Sequence, residues 1–386
     1  MNLRKQFLIL LLLIAFLGLM ACKKASAPSD QTGSSPVAAA ESQHAAGGTT
    51  PAGETKYFKG SIGSALGLQM KLVREGEKLI GSYFYQKVGT PINIRGTIDK
   101  SGNVVIDELD SAGSQTGTFK GVWKEDENGL ITIAGNWAKP NSDKKTAFSL
   151  HEEPIEFSGG VEILARQIKD SNKKLRYKID VQYPQLSGSG SPNYEKFNQT
   201  VRSLITKKVS AFKTEMAPDP NEPPPTELES LDSDLNVGYT IALAKDDLIS
   251  VLLDVGSYSA GAAHPNSYSE VVNFDLRNGK LLKLADLFQP GSKYLQSIAA
   301  YCIADLKKQG KKAGADSMLD DDWVERGAAA DAENYSSWTI GKKGLEITFD
   351  SYQVAAYAAG PQHVMVPYSA LKDVIKADGP LAQFMK

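Results

Sequence analysis

The sequence predicts a β domain, a meander that closes or nearly closes into a barrel, followed by an α+β domain whose antiparallel sheet packs with two to three helices. Three observations predict it. From Tyr57 to about His151 hydrophobicity alternates with a period of two, and turn residues recur at intervals of roughly ten. Beyond residue 160, alternating stretches are interleaved with segments whose apolar residues recur at threes and fours, the spacing of a helix face. Between the two regions lies PIEFSGG (154–160), which reads as a hinge.

Residues 1–21 stand apart from the fold. Arg4 and Lys5 begin a basic segment, and Phe7 to Leu17 is an almost unbroken apolar run, short of the roughly 20 residues a membrane span needs. Leu19-Met20-Ala21-Cys22 follows and resembles the bacterial lipobox. That resemblance implies a cleaved lipoprotein signal peptide, with Cys22 lipidated as the mature N-terminus. The alternative is an uncleaved N-terminal helix. A diacylglyceryl thioether and an amide-linked acyl chain would anchor the chain firmly, at about 0.8 kcal/mol per buried CH₂. The expected location is the cell envelope, on its periplasmic or cell-surface face. Lys23 stands where an aspartate signals inner-membrane retention in some bacteria, which points towards the outer membrane. Residues 22–55 are rich in Ala, Ser, Gly, Thr and Pro and read as a flexible tether, with His44 solvated within it.

Charge is nearly balanced, 43 basic against 45 acidic residues in a chain of 386, which argues against a nucleic-acid partner held by phosphate contacts. There are two cysteines; with Cys22 acylated, Cys302 has no partner for a disulfide, so the domains must stand on their own cores.

The β domain is expected over 56–153. Gly81–Tyr85, Ile92–Ile98 and Leu130–Ile133 read as strands, and Glu75-Gly76, Ser101-Gly102-Asn103, Asn128-Gly129 and Asn141-Ser142 as turns. Glycine beside aromatics in Gly117–Trp123 and Gly135-Asn136-Trp137 suits a bent sheet with one aromatic-filled face. This region is similar to the small lipocalin-like β domains of bacterial envelope proteins.

The α+β domain is expected over 161–386, as a first module at 161–255 and a second at 256–376. Leu175–Tyr183 reads as a strand, and Tyr194, Phe197, Val201, Leu204, Ile205 and Phe212 form a helical core stripe. MAPDPNEPPP (216–225) must be loop. Strands follow near 237–244, 248–258 and 268–276. Next comes a helix over 294–308 carrying Leu295, Ile298, Cys302 and Leu306. Strands near 338–340, 345–349 and 364–366 precede a last helix near 370–376.

Several phrases in this half carry a resemblance: Tyr183–Gly188, Phe197-Asn198, Tyr258–Pro265, Asn273–Lys280, Leu281–Phe288, Gly344–Phe349 and Tyr352–Gly360. Taken in order over 161–376, they are similar to the paired modules of the PdaC/RsiV-like superfamily (the DUF3298/DUF4163 type). That resemblance implies extracytoplasmic modules found with peptidoglycan deacetylases or with lysozyme-sensing anti-sigma factors. The metal-binding Asp and His residues of the deacetylase domain and the cytoplasmic anti-sigma segment find no match in these residues. The expectation is therefore a recognition portion tethered by lipid.

The residues themselves offer little catalysis. Of four histidines, His151 falls at a strand end, and only His264 and His363 make a credible pair. Pro265 holds His264 extended on a glycine-containing turn. A zinc site needs a further ligand, and no H-x-x-H or C-x-x-C spacing supplies one. Loop hydrogen bonding is the ordinary reading, with metal or ligand contact as alternatives. Ser171–Lys174 fits S-x-x-K without its companion motifs. Asp320-Asp321-Asp322 lacks the glycine and closing glutamate of a calcium loop and reads as the start of a short helix. No cofactor or metal is expected. Tyr258, Tyr268, Tyr352 and Tyr357 suit a recognition surface or a strand core equally. The candidate ligand surface is Tyr258, Gly261, His264, Pro265, Asn266, Tyr352, Tyr357 and His363. The expected function is a non-enzymatic recognition lipoprotein for lysozyme or a peptidoglycan-related glycan. A glycan-modifying enzyme using His264 with an acidic residue, or an assembly role, are the alternatives; oligomeric state is left open.

Overall fold

The computed structural model describes residues 53–64, 66–86, 90–126, 129–188, 191–217, 232–314 and 317–385. The signal peptide, Cys22, His44, nearly all of the tether and most of the Pro-rich loop lie outside them. Among the described residues no helix is long and apolar enough to cross a membrane.

Eight antiparallel strands close a barrel: β1 (Glu54–Ile62), β2 (Leu66–Glu75), β3 (Lys78–Tyr85), β4 (Ile92–Ile98), β5 (Asn103–Leu109), β6 (Gln115–Glu125), β7 (Ile131–Ala138) and β8 (Thr146–Glu153). Each pairs with the next, and β8 returns to β1 with Tyr57 opposite Glu153. Alternation decides what lies inside. On β5, Val104, Ile106 and Glu108 point in while Val105 is exposed. Phe119 packs edge-on against Tyr83 and Phe148 at 5.5 and 5.1 Å. Gly81 is where strands crowd: a Cβ there would lie 1.9 Å from the Lys71 carbonyl oxygen. Three of the expected turns are present, with Gly76, Gly102 and Asn141 all at positive φ; Asn128 lies outside the described residues. A buried carboxylate lies inside: that of Glu108 accepts from Tyr83 Oη (2.8 Å), Thr116 Oγ1 (2.8 Å) and Trp137 Nε1 (3.1 Å). Three donors offset the cost of burying it.

The segment expected to hinge is stitched down instead. β9 (Ile155–Glu156) runs parallel to the end of β12 (Ser233–Lys245), and Ile155 is buried, so backbone pairing and an apolar anchor hold it. A seven-stranded sheet follows, in the order β10 (Glu162–Asn172), β11 (Tyr177–Ser187), β12, β13 (Leu248–Tyr258), β14 (Asn266–Asp275) and β15 (Lys280–Leu281), with β9 on β12. Helix α1 (Pro192–Glu215) covers one face and buries Phe197, Val201, Ile205, Val209 and Phe212. Asn198 lies in the same stripe because its amide bonds both the N–H (2.7 Å) and the carbonyl (2.9 Å) of Leu186, which fixes the helix on β11. Strand β10 has no counterpart in the sequence reading: EILARQIKDSN carries few apolar residues and lies at the sheet edge with none of its residues fully buried.

A second core forms where α2 (Tyr294–Ala313) and α3 (Asp321–Gly327) pack with the sheet β16 (Trp338–Ile340), β17 (Gly344–Phe349) and β18 (Gln362–Pro367). The expected terminal helix is shorter and earlier: α4 spans Tyr368–Leu371. Beyond it the backbone leaves the helix because Ile375 bridges Phe288 and the Lys376 N–H bonds the Leu287 carbonyl (3.0 Å). The division placed at 255/256 falls inside β13, which pairs continuously with β12 and β14. Cys302 is buried on α2, and burial pushes its thiol pKa up to about 12, with Asp305 adding to the effect.

The barrel meets the sheet through a polar seam. Lys59 Nζ donates to the Tyr239 carbonyl (2.5 Å) over the Tyr239 ring, and Gln69 Nε2 donates to the Tyr239 hydroxyl (3.2 Å). Glu153 lies beside them, buried, and its Oε1 has no hydrogen-bond partner among the described residues. Burial raises the Glu153 pKa, against the opposing pull of Lys59 and the Ile241 backbone. A carboxyl raised in the folded state binds its proton more tightly there than in the unfolded chain. Stability should therefore decline as pH rises from the ordinary carboxylate value through the raised one. Urea midpoints measured across that window should show this decline, and Glu153→Gln should flatten it. An unchanged slope in the variant would assign the decline to another group.

Candidate functional site

The loop from β13 to β14 and the turns after β17 meet at the surface. Gly261, at φ 88°, bends the first of these, and His264 follows in a fully exposed stretch. The His264 Nδ1 lies 2.8 Å from the Pro265 carbonyl. A carbonyl only accepts, so Nδ1 carries the hydrogen and Nε2 faces the Tyr352 hydroxyl at 3.4 Å. Tyr357 donates to the same Pro265 carbonyl (2.8 Å), and its ring stacks on His264 with centroids 4.1 Å apart. Tyr352 completes the group, 5.5 Å from Tyr357 and 6.3 Å from His264.

Tyr352 is the unusual member. It is 55% exposed and sits at φ 71°, left-handed backbone that a bulky aromatic seldom adopts and that costs about 1–2 kcal/mol. It occupies the third position of a turn closed by Gln353 N–H to the Asp350 carbonyl (3.0 Å), a place that suits glycine. Its neighbours hold it there. Trp323 Nε1 donates to the Tyr352 carbonyl (3.2 Å), Gln353 Nε2 donates to the carbonyls of Gly327 and Asn334, and Val354 and Ala355 are buried.

The structure thus unites His264, Pro265, Tyr352 and Tyr357, with Gly261 shaping the loop and Asn266 opening β14 beside it. Tyr258 ends β13 opposite Asp234, and among the described residues no ring contact or hydrogen bond joins it to the cluster. His363 does not pair with His264: it lies on β18, its Nδ1 3.3 Å from Thr348 Oγ1. Tyr268 stands apart too, its hydroxyl bonded by Lys208 Nζ (2.9 Å).

Three residues were missed in the sequence: Trp323, Asp350 and Asp254. The Asp350 carboxylate accepts the Ser269 N–H at 3.0 and 3.1 Å, tying the turn before Tyr352 to β14. Asp254 lies across from Ser269. Desolvation raises its pKa, Asp350 pushes the same way, and Lys59 and His363 oppose. Isolated aspartates, Asp350 after β17 and Asp254 within β13, carry no sequence pattern that separates them from ordinary surface acids. Among the described residues no three His, Cys, Asp or Glu side chains converge as metal ligands. Asp320 caps α3 by accepting the Trp323 N–H (2.9 Å).

The fold and this surface define a barrel joined to a two-core α+β domain that displays an aromatic platform. Residues 170–267 match the family described as deacetylase PdaC, and residues 285–369 match the protein family of unknown function DUF3298. These two stretches of the chain are thus PdaC-type and DUF3298-type in sequence. The peptidoglycan-N-acetylmuramic acid deacetylase PdaC of Bacillus subtilis (strain 168) is 27% identical over 218 residues, 56% of this chain and 42% of that protein. The chain therefore spans less than half the length of this curated relative. A solved DUF3298 family member from Bacteroides fragilis NCTC 9343 aligns with a TM-score of 0.44 at 18% identity, covering 59% of this chain and 98% of its own. A DUF3298 family protein from Pseudomonas aeruginosa PAO1 gives 0.39 at 17%, covering 57% and 95%.

Proposed function

We propose that the chain is a non-enzymatic recognition protein of the cell envelope, held to a membrane through lipid on Cys22, and that its His264–Tyr352–Tyr357 platform binds a peptidoglycan-related glycan. The observation that carries the reading is the strained, exposed Tyr352. A tyrosine held at a glycine-like position costs stability, and its ring serves no core. Flat aromatic faces bearing polar tips suit sugar rings, whose C–H faces stack and whose hydroxyls bond. The name of the Bacillus subtilis relative gives a peptidoglycan sugar as that protein's substrate, which favours the same class of ligand here. The platform is also composite: His264 lies within the PdaC match, and Tyr352 and Tyr357 within the DUF3298 match.

Calorimetry with soluble peptidoglycan glycan fragments tests this. Tyr357→Ala should weaken binding about tenfold, the loss of roughly 1.4 kcal/mol expected for an aromatic anchor. Tyr352→Gly should weaken it similarly while leaving stability equal or higher by about 1 kcal/mol, because glycine accepts positive φ. Wild-type affinity in both variants would remove the platform from the reading. Lysozyme in a parallel titration distinguishes a protein ligand from a glycan. Release of reducing ends or acetate from peptidoglycan would instead make the chain an enzyme.

A further inference from the structure

One cavity among the described residues lies away from the platform. It is an open groove of about 690 Å³ between α1 and the edge formed by β14 and β15. Three features describe what it can hold. The first is a free backbone edge. On β14 the outward groups belong to odd positions, since the Ser269 N–H meets Asp350 and the Asn273 carbonyl accepts the Leu282 N–H (2.7 Å). Between them, half-buried Val271 turns its N–H and carbonyl outward, and neither has a partner among the described residues. β15 reaches only Phe274 and Asp275, so it leaves this stretch uncovered. The second is an apolar lining, to which Leu204, Val272, Phe274 and the 51% exposed Leu281 contribute. The third is charge. Lys196 and Lys207 line the groove from α1, both exposed, and neither forms an ion pair among the described residues; the groove's one acid, Glu270, is already paired with Lys208.

An unpaired strand edge recruits an extended chain, and unpaired lysines recruit carboxylates. The spacing agrees. Lys196 and Lys207 are eleven residues apart on α1, or about 16 Å at 1.5 Å per residue. An extended tetrapeptide spans about 13–14 Å. We propose that this groove binds a short, extended peptide bearing free carboxylates, namely the stem peptide that peptidoglycan carries on its glycan. This rests on the envelope reading above and adds a second site to it. The peptide lies along the Val271 edge, exchanges backbone hydrogen bonds with it, and places carboxylates near Lys196 and Lys207.

The full chain is titrated calorimetrically with N-acetyl-L-Ala–γ-D-Glu–diaminopimelate–D-Ala, with the same peptide amidated at its carboxylates, and with peptide-free glycan. The free peptide should bind, the amidated one at least tenfold more weakly. Lys196→Gln with Lys207→Gln should reproduce that loss at an unchanged melting temperature and with glycan binding intact. No peptide binding, or equal binding of the amidated form, overturns the groove proposal. Equal binding by the double lysine variant overturns it as well. Peptide binding without glycan binding supports the groove and rejects the platform, so the two failures are distinct.

Discussion

Replacing Glu152 with alanine should lower stability by about 3 kcal/mol and split a single unfolding transition into two, read by urea denaturation with separate probes of barrel and sheet. Glu152 sits at the end of β8 with its side chain 3% exposed. Its Oε1 receives Lys56 from β1 at 3.0 Å and Lys342 from the second core at 3.2 Å; its Oε2 accepts the Ile131 N–H at 2.9 Å. Alanine leaves an unsatisfied buried N–H and two ammonium groups close together without their shared anion. The site also couples the barrel to the last sheet, so the loss should fall on cooperativity as well as on the midpoint. Desolvation lowers the Lys56 pKa, but bonds to Glu152 and Glu54 outweigh it and leave the value raised above 10.5. Stability from a raised lysine is complete below its unfolded value and fades as pH climbs through the folded one. The difference between wild type and Glu152→Ala should therefore narrow only in strongly alkaline solution. A loss under 1 kcal/mol at neutral pH, with one transition retained, would show that other contacts join the two parts.

Much of this architecture was legible, for reasons visible in particular residues. The barrel announced itself because each strand has a dry and a wet face, and because Gly76, Gly102 and Asn141 mark turns by a backbone requirement that few residues meet. Helix α1 was legible because apolar residues recur at helical spacing over about five turns, from Tyr194 to Phe212. Strand β10 was not, since an edge strand with few buried side chains has no reason to alternate strongly. The hinge expected at 154–160 is held instead, because the buried Ile155, three residues before Ser158-Gly159-Gly160, anchors it. The platform was half legible. Aromatics beside Gly261 and Gly360 suggested a surface, and His264, Tyr352 and Tyr357 do meet. Position 352 being left-handed was invisible, because a tyrosine stands where the backbone asks for glycine. Asp350 and Trp323, which hold that turn, are recognisable only once Ser269 and the Tyr352 carbonyl are near them in space.

Asn273→Ala should cost about 3–4 kcal/mol and, unlike Glu152→Ala, should also weaken the platform. Asn273 and Ser250 are 1% and 0% exposed and lie between the two cores. Ser250 Oγ donates to Asn273 Oδ1 (2.5 Å) and accepts the Ile340 N–H (2.8 Å), while Asn273 Nδ2 donates to the Trp338 carbonyl (2.8 Å). This chain of bonds fastens β16 to β13 and β14. Truncation orphans the Trp338 carbonyl, takes away the acceptor of the Ser250 hydroxyl hydrogen and leaves a void, each worth about 1–3 kcal/mol where nothing relaxes to fill it. Ser250→Ala strands the Ile340 N–H and Asn273 Oδ1 but leaves the bond to the Trp338 carbonyl, and should cost about 1–3 kcal/mol. The double variant should fall short of the sum, because both deletions break one network. The consequence for the surface follows from the topology. His264 hangs from the β13–β14 loop, whereas Tyr352 and Tyr357 follow β17, whose partner is β16. Loosening β16 from β14 frees the two halves of the platform to move apart, so Asn273→Ala should weaken glycan binding without touching a ligand-facing atom. Hydrogen exchange at Trp338–Ile340 should quicken in step. Unchanged exchange with unchanged affinity would mean that the Asp350–Ser269 bond alone keeps the halves in register.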